Sequence, residues 1–277
     1  MQHGLSRPLL AALCAAALHL PARAGAGCSR PIIVPAAPTG QTVYFSGAEA
    51  QGLIPDMLSQ IGARIGCTFK WSMVPRARLE TMFESGSADL LVAATRVDRR
   101  DKAGVFVPML EARPTLISLA SERAPVRNFA ELLERRELRV ALVRGYDYGD
   151  AYQALAKALA SQGRLYLEPD AVTIARLING GMADVTIMPA SAFIGATFGD
   201  PRVEGMAANL RTEALDELPW IRTGIYLSRK SLTSHDRALL EKALTASVKT
   251  GAWWQALKRY YPPEVLKLHA RPLENAR

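Results

Sequence analysis

Histidine and cysteine are scarce in this chain of 277 residues. There are four histidines and three cysteines. His3 and His19 lie near the start, His235 at the start of a helix-like run, and His269 near the tail. That spacing suggests neither a metal cluster nor a base for a serine or cysteine nucleophile. No cofactor, no metal and no catalytic residue are expected, and the chain reads as a binder rather than an enzyme. The formal net charge is +8, yet there is no block of five or more Lys or Arg. Nucleic acid is therefore not an expected partner, although a mild positive field would favour anionic ligands. No G-x-x-x-x-G-K-[ST] pattern occurs, so Gly145 to Gly149, "GYDYG", is not a phosphate loop. Past the N-terminus no apolar run is long enough to span a bilayer.

The N-terminus has the order of an export leader. Arg7 supplies positive charge, Leu9 to Leu20 an apolar run, and "PARA", Pro21 to Ala24, a small-residue cleavage site. Residues 1–24 are expected to be a signal peptide that is removed, placing the protein in the periplasm. Two other readings compete: a lipid anchor on Cys28, and a buried N-terminal helix. Gly25-Ala26-Gly27 lacks the large aliphatic residue usual before a lipidated cysteine. Cleavage removes Cys14 along with the leader. The two cysteines left, Cys28 and Cys67, are expected to pair in an oxidising compartment. Each stands just before a strand-like run, Ile32–Val34 and Phe69–Met73. As parallel neighbours these strands would start within bridging distance.

What is abundant is strand–helix alternation, and it occurs twice. The first run reads strand (Ile32–Val34), amphipathic helix (Pro55–Ile65), strand (Phe69–Met73), helix (Arg76–Glu84), strand (Leu90–Ala93). The second reads strand (Leu138–Val143), helix (Tyr152–Leu159), strand (Leu165–Leu167), helix (Ala171–Ile178), strand (Val185–Met188). Both are βαβαβ units, implying mostly parallel sheets. Each unit contains the same corner, "GSAD" at Gly86–Asp89 and "GMAD" at Gly181–Asp184. Both aspartates start a strand, so they are expected to cap the turn rather than act as paired catalytic carboxylates. Asn128 with Glu131, Asp170, and Ser234 or Thr233 read as helix caps. A tail helix, Asp236–Lys249, precedes Trp253 and Trp254, which read as packing residues. The expected architecture is α/β with two lobes, residues 25–119 plus 220–277 and residues 120–219. Such lobes enclose a cleft beyond the carboxyl ends of the strands.

Five segments in order carry a resemblance: "GLIPDMLSQIGARIGCTF" (52–69), "VPRARLETMFESGSADLLVAATRVDRRDKAGVFVP" (74–108), "LRVALVRG" (138–145), "GGMADVTIM" (180–188), and the tail from "TGIYLSRKS" to "GAWWQALKRYYP". The chain resembles the bacterial extracellular solute-binding proteins of family 3, the amino-acid-type periplasmic binding proteins. The resemblance implies a monomeric type II clamshell. It would close on a small carboxylate-bearing solute, an amino acid or organic acid, and present it to an inner-membrane ABC permease. Two alternatives on the same scaffold are a ligand sensor for a separate signalling partner and a periplasmic dehydratase. For the latter, Asp147 or Glu111 would be the acid or base.

Candidate ligand residues follow the strand ends. Thr95 and Arg100 fall where the family grips a carboxylate, and the planar guanidinium fork suits that task. Their competitor is a solvated pair of Arg100 with Asp98 or Asp101. Arg76 opens a helix, where free N–H groups attract anions. In the second unit the family's ligand loop falls on Arg144–Gly149. There Gly145 fits a tight turn, and Tyr146 or Tyr148 could cover a ligand. The family commonly places an acid for the ligand's ammonium just after the strand that follows the second corner. Here Met188 and Pro189 stand there, leaving Asp147 as the substitute and an amine-bearing ligand in question.

Overall fold

The computed structural model describes Met1, residues 27–198 and residues 200–274. The expected leader and its cleavage site lie outside the described residues. Among the described residues, no helix is long and apolar enough to cross a membrane.

The chain begins with β1 (Ile32–Ala36), the short hairpin β2 (Tyr44–Ser46) and β3 (Glu49–Gln51), then α1 (Leu53–Ile65). Helix α1 buries Leu53, Met57, Leu58 and Ile61 on one face, the 3.6-residue spacing of an amphipathic helix. Strand β4 (Phe69–Met73) follows and pairs in parallel with β1, Ile32 opposite Phe69. The Cys28–Cys67 disulfide ties the starts of these two strands together. Next come α2 (Arg76–Ser85), β5 (Leu90–Thr95), α3 (Asp98–Ala103) and a long strand, β6 (Gly104–Ala112).

After Arg113 the chain enters another sheet. Strand β7 (Pro114–Leu119) leads to α4 (Phe129–Glu134), β8 (Val140–Val143), α5 (Asp150–Ser161), β9 (Leu165–Glu168), α6 (Ala171–Asn179), β10 (Val185–Pro189), α7 (Ala190–Thr197) and β11 (Leu210–Ala214). The sheet order is β11-β7-β10-β8-β9. The sequence reading places residues 114–119 at the end of the first lobe. The structure instead hydrogen-bonds β7 antiparallel to both β10 and β11. The reason is reach: only one residue separates β6 from β7, so the crossing is complete before β7 begins. Consecutive residues of this sheet point into different cores. Ile117, Ala141, Val143 and Met188 join one cluster, and Leu116, Val140, Leu142 and Ile187 the other. Both faces are thus covered, as period-two strands between helical layers require.

The chain returns through β12 (Ile221–Ser228), α8 (Ser234–Lys249), α9 (Ala252–Tyr260), α10 (Pro263–His269) and β13 (Ala270–Pro272). Strand β12 slots between β6 and β5, and β13 edges β6, all antiparallel. The β13-β6-β12-β5 sheet is thus antiparallel throughout, β1 and β4 form a separate parallel pair, and the β11-β7-β10-β8-β9 sheet is mixed. The parallel pairs come from the repeated units, and the antiparallel ones from the strands that cross over and return.

The repeated corners are built alike. Gly86 and Gly181 both adopt left-handed φ, 83° and 67°, closing α2 and α6. Asp89 donates its N–H to Ile33 O and accepts the Ile33 N–H, while Arg30 grips both its carboxylate oxygens. Asp184 does the same with the backbone and side chain of Arg139. In both, burial pushes the carboxyl up, but the hydrogen bonds outweigh it and hold the pKa below the usual range. Both aspartates thus fasten the corner to the neighbouring strand. The caps form too: Asn128 accepts Glu131 N–H, Asp170 accepts Thr173 N–H, and Thr233 accepts Asp236 N–H.

His269 ends α10 at 4% exposure, and its Nδ1 has no partner among the described residues. Desolvation pushes its pKa down to about 4. The fold therefore holds it neutral, and below pH 6.5 the unfolded chain binds the extra proton. Stability is expected to fall by about 3 kcal/mol as pH drops from 6.5 to 4. Chemical denaturation across that window would show this slope. A His269→Leu variant should flatten it, and equal slopes would contradict the assignment.

Candidate ligand-binding site

A cavity of about 120 Å³ lies where the two sheets face each other. Its walls come from both sides. Arg76 of α2, Thr95 of β5, and Met109 to Ala112 of β6 contribute from one side. Tyr146, Asp147, Tyr148, Pro189 and Ser191 contribute from the other. Thr39, Thr42, Thr223 and Trp253 complete the rim and floor.

Local backbone chemistry delivers these groups. Strand β5 carries an extra residue opposite β12, with the register slipping between Gly224 and Tyr226. Ala93 sits in that bulge at φ 50°, an unusual angle for a residue with a Cβ. Ala93 and Thr95 both reach the cavity wall, while Ala94 between them is buried in the core. Pro75 caps α2 without a side-chain bond, and the first turn of α2 contains no acid. Its dipole is thus left unneutralised at the cavity.

Arg76 is 5% exposed. Its Nη1 donates to Val92 O at 3.3 Å, and its Nε has no partner among the described residues. It sits 5.8 Å from the Tyr146 ring centroid. Desolvation first, then the like charge of Arg100, pushes its pKa down. The charge of Glu80 opposes this only in part, and no carboxylate among the described residues forms a salt bridge with the guanidinium, so its burial is costly.

Tyr146 and Tyr148 meet edge to face at 6.0 Å, and Tyr148 packs on Tyr152 at 4.9 Å. Burial raises all three phenols, so they remain protonated donors. Asp147 keeps a lowered pKa. Burial opposes ionisation, but the Gly149 N–H, Gln153 and two arginines outweigh it.

The structure brings together five of the eight expected ligand residues: Thr95, Arg76, Tyr146, Asp147 and Tyr148. Arg100 is not on the wall. It is 1% exposed, and its Nε and Nη2 donate to the Glu80 carboxylate at 3.1 and 2.6 Å. Its Nη1 donates to Thr95 O and Oγ1 at 2.9 and 3.0 Å. The alternative partners Asp98 and Asp101 are not used; Asp101 pairs with Arg96 instead. Glu80 escapes a sequence reading because its partner is twenty positions away. Its one signal is an acid on the otherwise buried stripe of Arg76, Leu79 and Phe83. Met188 points into the second sheet's core, and Pro189 reaches the cavity instead. Trp253 serves both roles, donating Nε1–H to Ser247 Oγ at 2.8 Å while flooring the cavity.

Gly145 acts at the mouth. Its φ is 87°, and a Cβ there would lie 2.9 Å from Ala77 Cα at the start of α2. The two sides approach here only because the side chain is missing. Nearby, Thr95 Oγ1 donates across the cleft to Asp147 O at 2.6 Å. Gly145→Ala is expected to cost about 1 kcal/mol from the φ alone. It should also hold the two sides apart, which small-angle scattering would register as a larger radius of gyration. An unchanged radius would contradict this role.

Among the described residues, no group of three His, Cys, Asp or Glu is placed to hold a metal ion. No family model matches the chain, and no curated protein matches it. Solved structures do. An ancestral arginine-binding protein bound to arginine superposes with a TM-score of 0.66 at 14% identity, over 83% of this chain and 97% of that one. The arginine-, lysine-, histidine-binding protein ArtJ from Geobacillus stearothermophilus gives 0.67 at 15%, over 86% and 99%. A histidine kinase sensor domain with similarity to periplasmic binding proteins gives 0.64 at 17%, over 84% and 96%. At these identities the likeness concerns the fold, and the fold is the two-lobed one of periplasmic binding proteins.

Proposed function

We propose that the protein is a periplasmic solute-binding receptor. It captures a small carboxylate-bearing solute between its lobes and delivers it to an inner-membrane ABC importer. The observation that carries this reading is Arg76, a buried cation on a cavity wall with an unpartnered Nε and no acid of its own. A carboxylate would supply the missing partner. In this reading Tyr146 and Tyr148 cover the solute, and Thr95 and Asp147 join the lobes over it. Arg100 acts through Thr95, holding its carbonyl and hydroxyl in place. Gly145 admits the approach, and Met188 supports the strand that presents Pro189.

The lobes are residues 27–112 with 221–274, and residues 114–214. The N-terminal leader exports a chain that works as a monomer. The similar solved structures are binding proteins and a sensor domain rather than enzymes, and no turnover is expected.

Mass spectrometry of the solute that co-purifies with unrefolded protein tests the reading. Calorimetry of refolded protein with that compound should then give one site per chain and no product. Product formation, or the absence of any bound or binding solute, would overturn it. The likeness to a histidine kinase sensor domain supports one second reading, a receptor that reports its ligand to a signalling partner. Capture of a sensor protein and no permease by the liganded form would favour that reading.

A further inference from the structure

The charges at the cavity are unequally satisfied. Arg76 has no salt bridge among the described residues, but both cavity acids are engaged. Asp147 accepts the Gly149 N–H at 3.0 Å through Oδ1, and its Oδ2 lies 3.6 Å from Arg99 Nη2. Glu111 pairs with Arg271 Nε at 2.5 Å. An entering carboxylate would meet an unpaired cation. An entering ammonium would meet acids already in ion pairs, Asp147 with an Arg99 that it shares with Glu80 and Glu84, and would compete with Arg99 or Arg271 for them.

The polar groups left on the wall are neutral. The hydroxyls of Thr42, Ser191 and Thr223 could share a carboxylate's oxygens with Arg76, but they cannot offset a buried ammonium. Much of the remaining wall is apolar: Leu53, Ile54, Met109, Leu110, Ile221 and Trp253. At about 120 Å³ the cavity is on the scale of the roughly 150 Å³ void that takes up benzene. That suits a body of about six carbons.

We propose that the ligand is an amine-free monocarboxylate with a compact apolar body, its carboxylate on Arg76 and its body against the apolar wall. The cleft then discriminates against the α-amino acid of the same shape. This rests on the receptor reading above and names its solute class. It also separates this chain from the similar structures named for binding arginine, whose ligand carries two cationic groups.

The test uses matched pairs that differ only in the amine. Refolded protein is titrated calorimetrically with 4-methylpentanoate and leucine, then with 3-phenylpropanoate and phenylalanine, and with arginine. In at least one pair the acid is expected to bind about 100-fold more tightly than the amino acid, the cost of a buried ammonium without a partner. Arginine should not bind measurably. An amino acid that binds as tightly as its matched acid, or more so, overturns the inference and leaves the receptor reading standing. Failure of every compound, with an amine-bearing or strongly polar solute identified by co-purification, also overturns the inference alone. Failure of every compound with nothing co-purified overturns both.

Discussion

Replacing Glu80 with alanine is expected to lower folding stability by about 3–5 kcal/mol, the range for breaking a buried ion pair from one side. The Arg100 guanidinium is 1% exposed. Without Glu80 its Nε and Nη2 lose both carboxylate bonds, and only the Nη1 bonds to Thr95 remain. Burial raises the Glu80 carboxyl, but the Arg100 hydrogen bonds and charge, with Arg76 and Arg99, outweigh it and hold its pKa below normal. Glu80 is therefore a carboxylate at neutral pH, and the Arg100 guanidinium left behind has no water to turn to. Removing both partners should cost less than removing one, since Glu80→Met with Arg100→Leu leaves no orphaned charge. Urea denaturation of the two variants and the parent gives the comparison. A loss below about 1 kcal/mol for the single variant, in the range of an exposed pair, would show that Arg100 is free to serve a ligand instead.

Removing the Cys28–Cys67 bridge is expected to cost about 4 kcal/mol, from a loop closed across a sequence separation of 39. At this chain length that corresponds to a drop in melting temperature of about 8–16 °C. The bridge joins the starts of β1 and β4, and β1 also carries the Asp89 corner through Ile33. The unbridged chain must order this end of the first lobe without the covalent closure. A Cys28→Ser/Cys67→Ser double variant measured by calorimetry checks this. A melting temperature within about 2 °C of the parent would show that the bridge adds almost nothing.

Local and short-range features of the fold were legible from the residues. The glycine turns that close α2 and α6, the Asn128 and Asp170 caps and the amphipathic α1 each depend on neighbours within a few positions. Asp89 and Asp184, expected to cap their own turns, instead bind distant residues, Ile33 with Arg30 and Arg139 respectively. The disulfide was legible because only two cysteines outlast the expected leader and both precede strands. Features that depend on distant partners were not. Glu80 and Arg100 meet through tertiary structure, so Arg100 read as a cleft residue. Strand β7 was legible as a connecting strand over Thr115–Leu119, but not the sheet it joins, because its partners β10 and β11 lie far along the chain. Helix α7, "ASAFIGAT", is buried on nearly every side and therefore shows no amphipathic period. At the site, Arg76, the two tyrosines and Asp147 were placed by their positions after strands. The hydroxyls of Thr39, Thr42 and Thr223 had no distinguishing context. The bulge at Ala93 has no glycine to announce it.

The central claim is that Arg76 anchors a carboxylate. Titration of whichever of 4-methylpentanoate and 3-phenylpropanoate binds the wild type into wild-type and Arg76→Gln protein, both shown by circular dichroism melts to be folded, tests it most directly. Arg76→Gln is expected to bind about 30-fold to 1,000-fold more weakly, the effect of losing one side of a buried charge pair, while Arg76→Lys recovers part of the loss. Equal affinity in wild type and Arg76→Gln would contradict the claim.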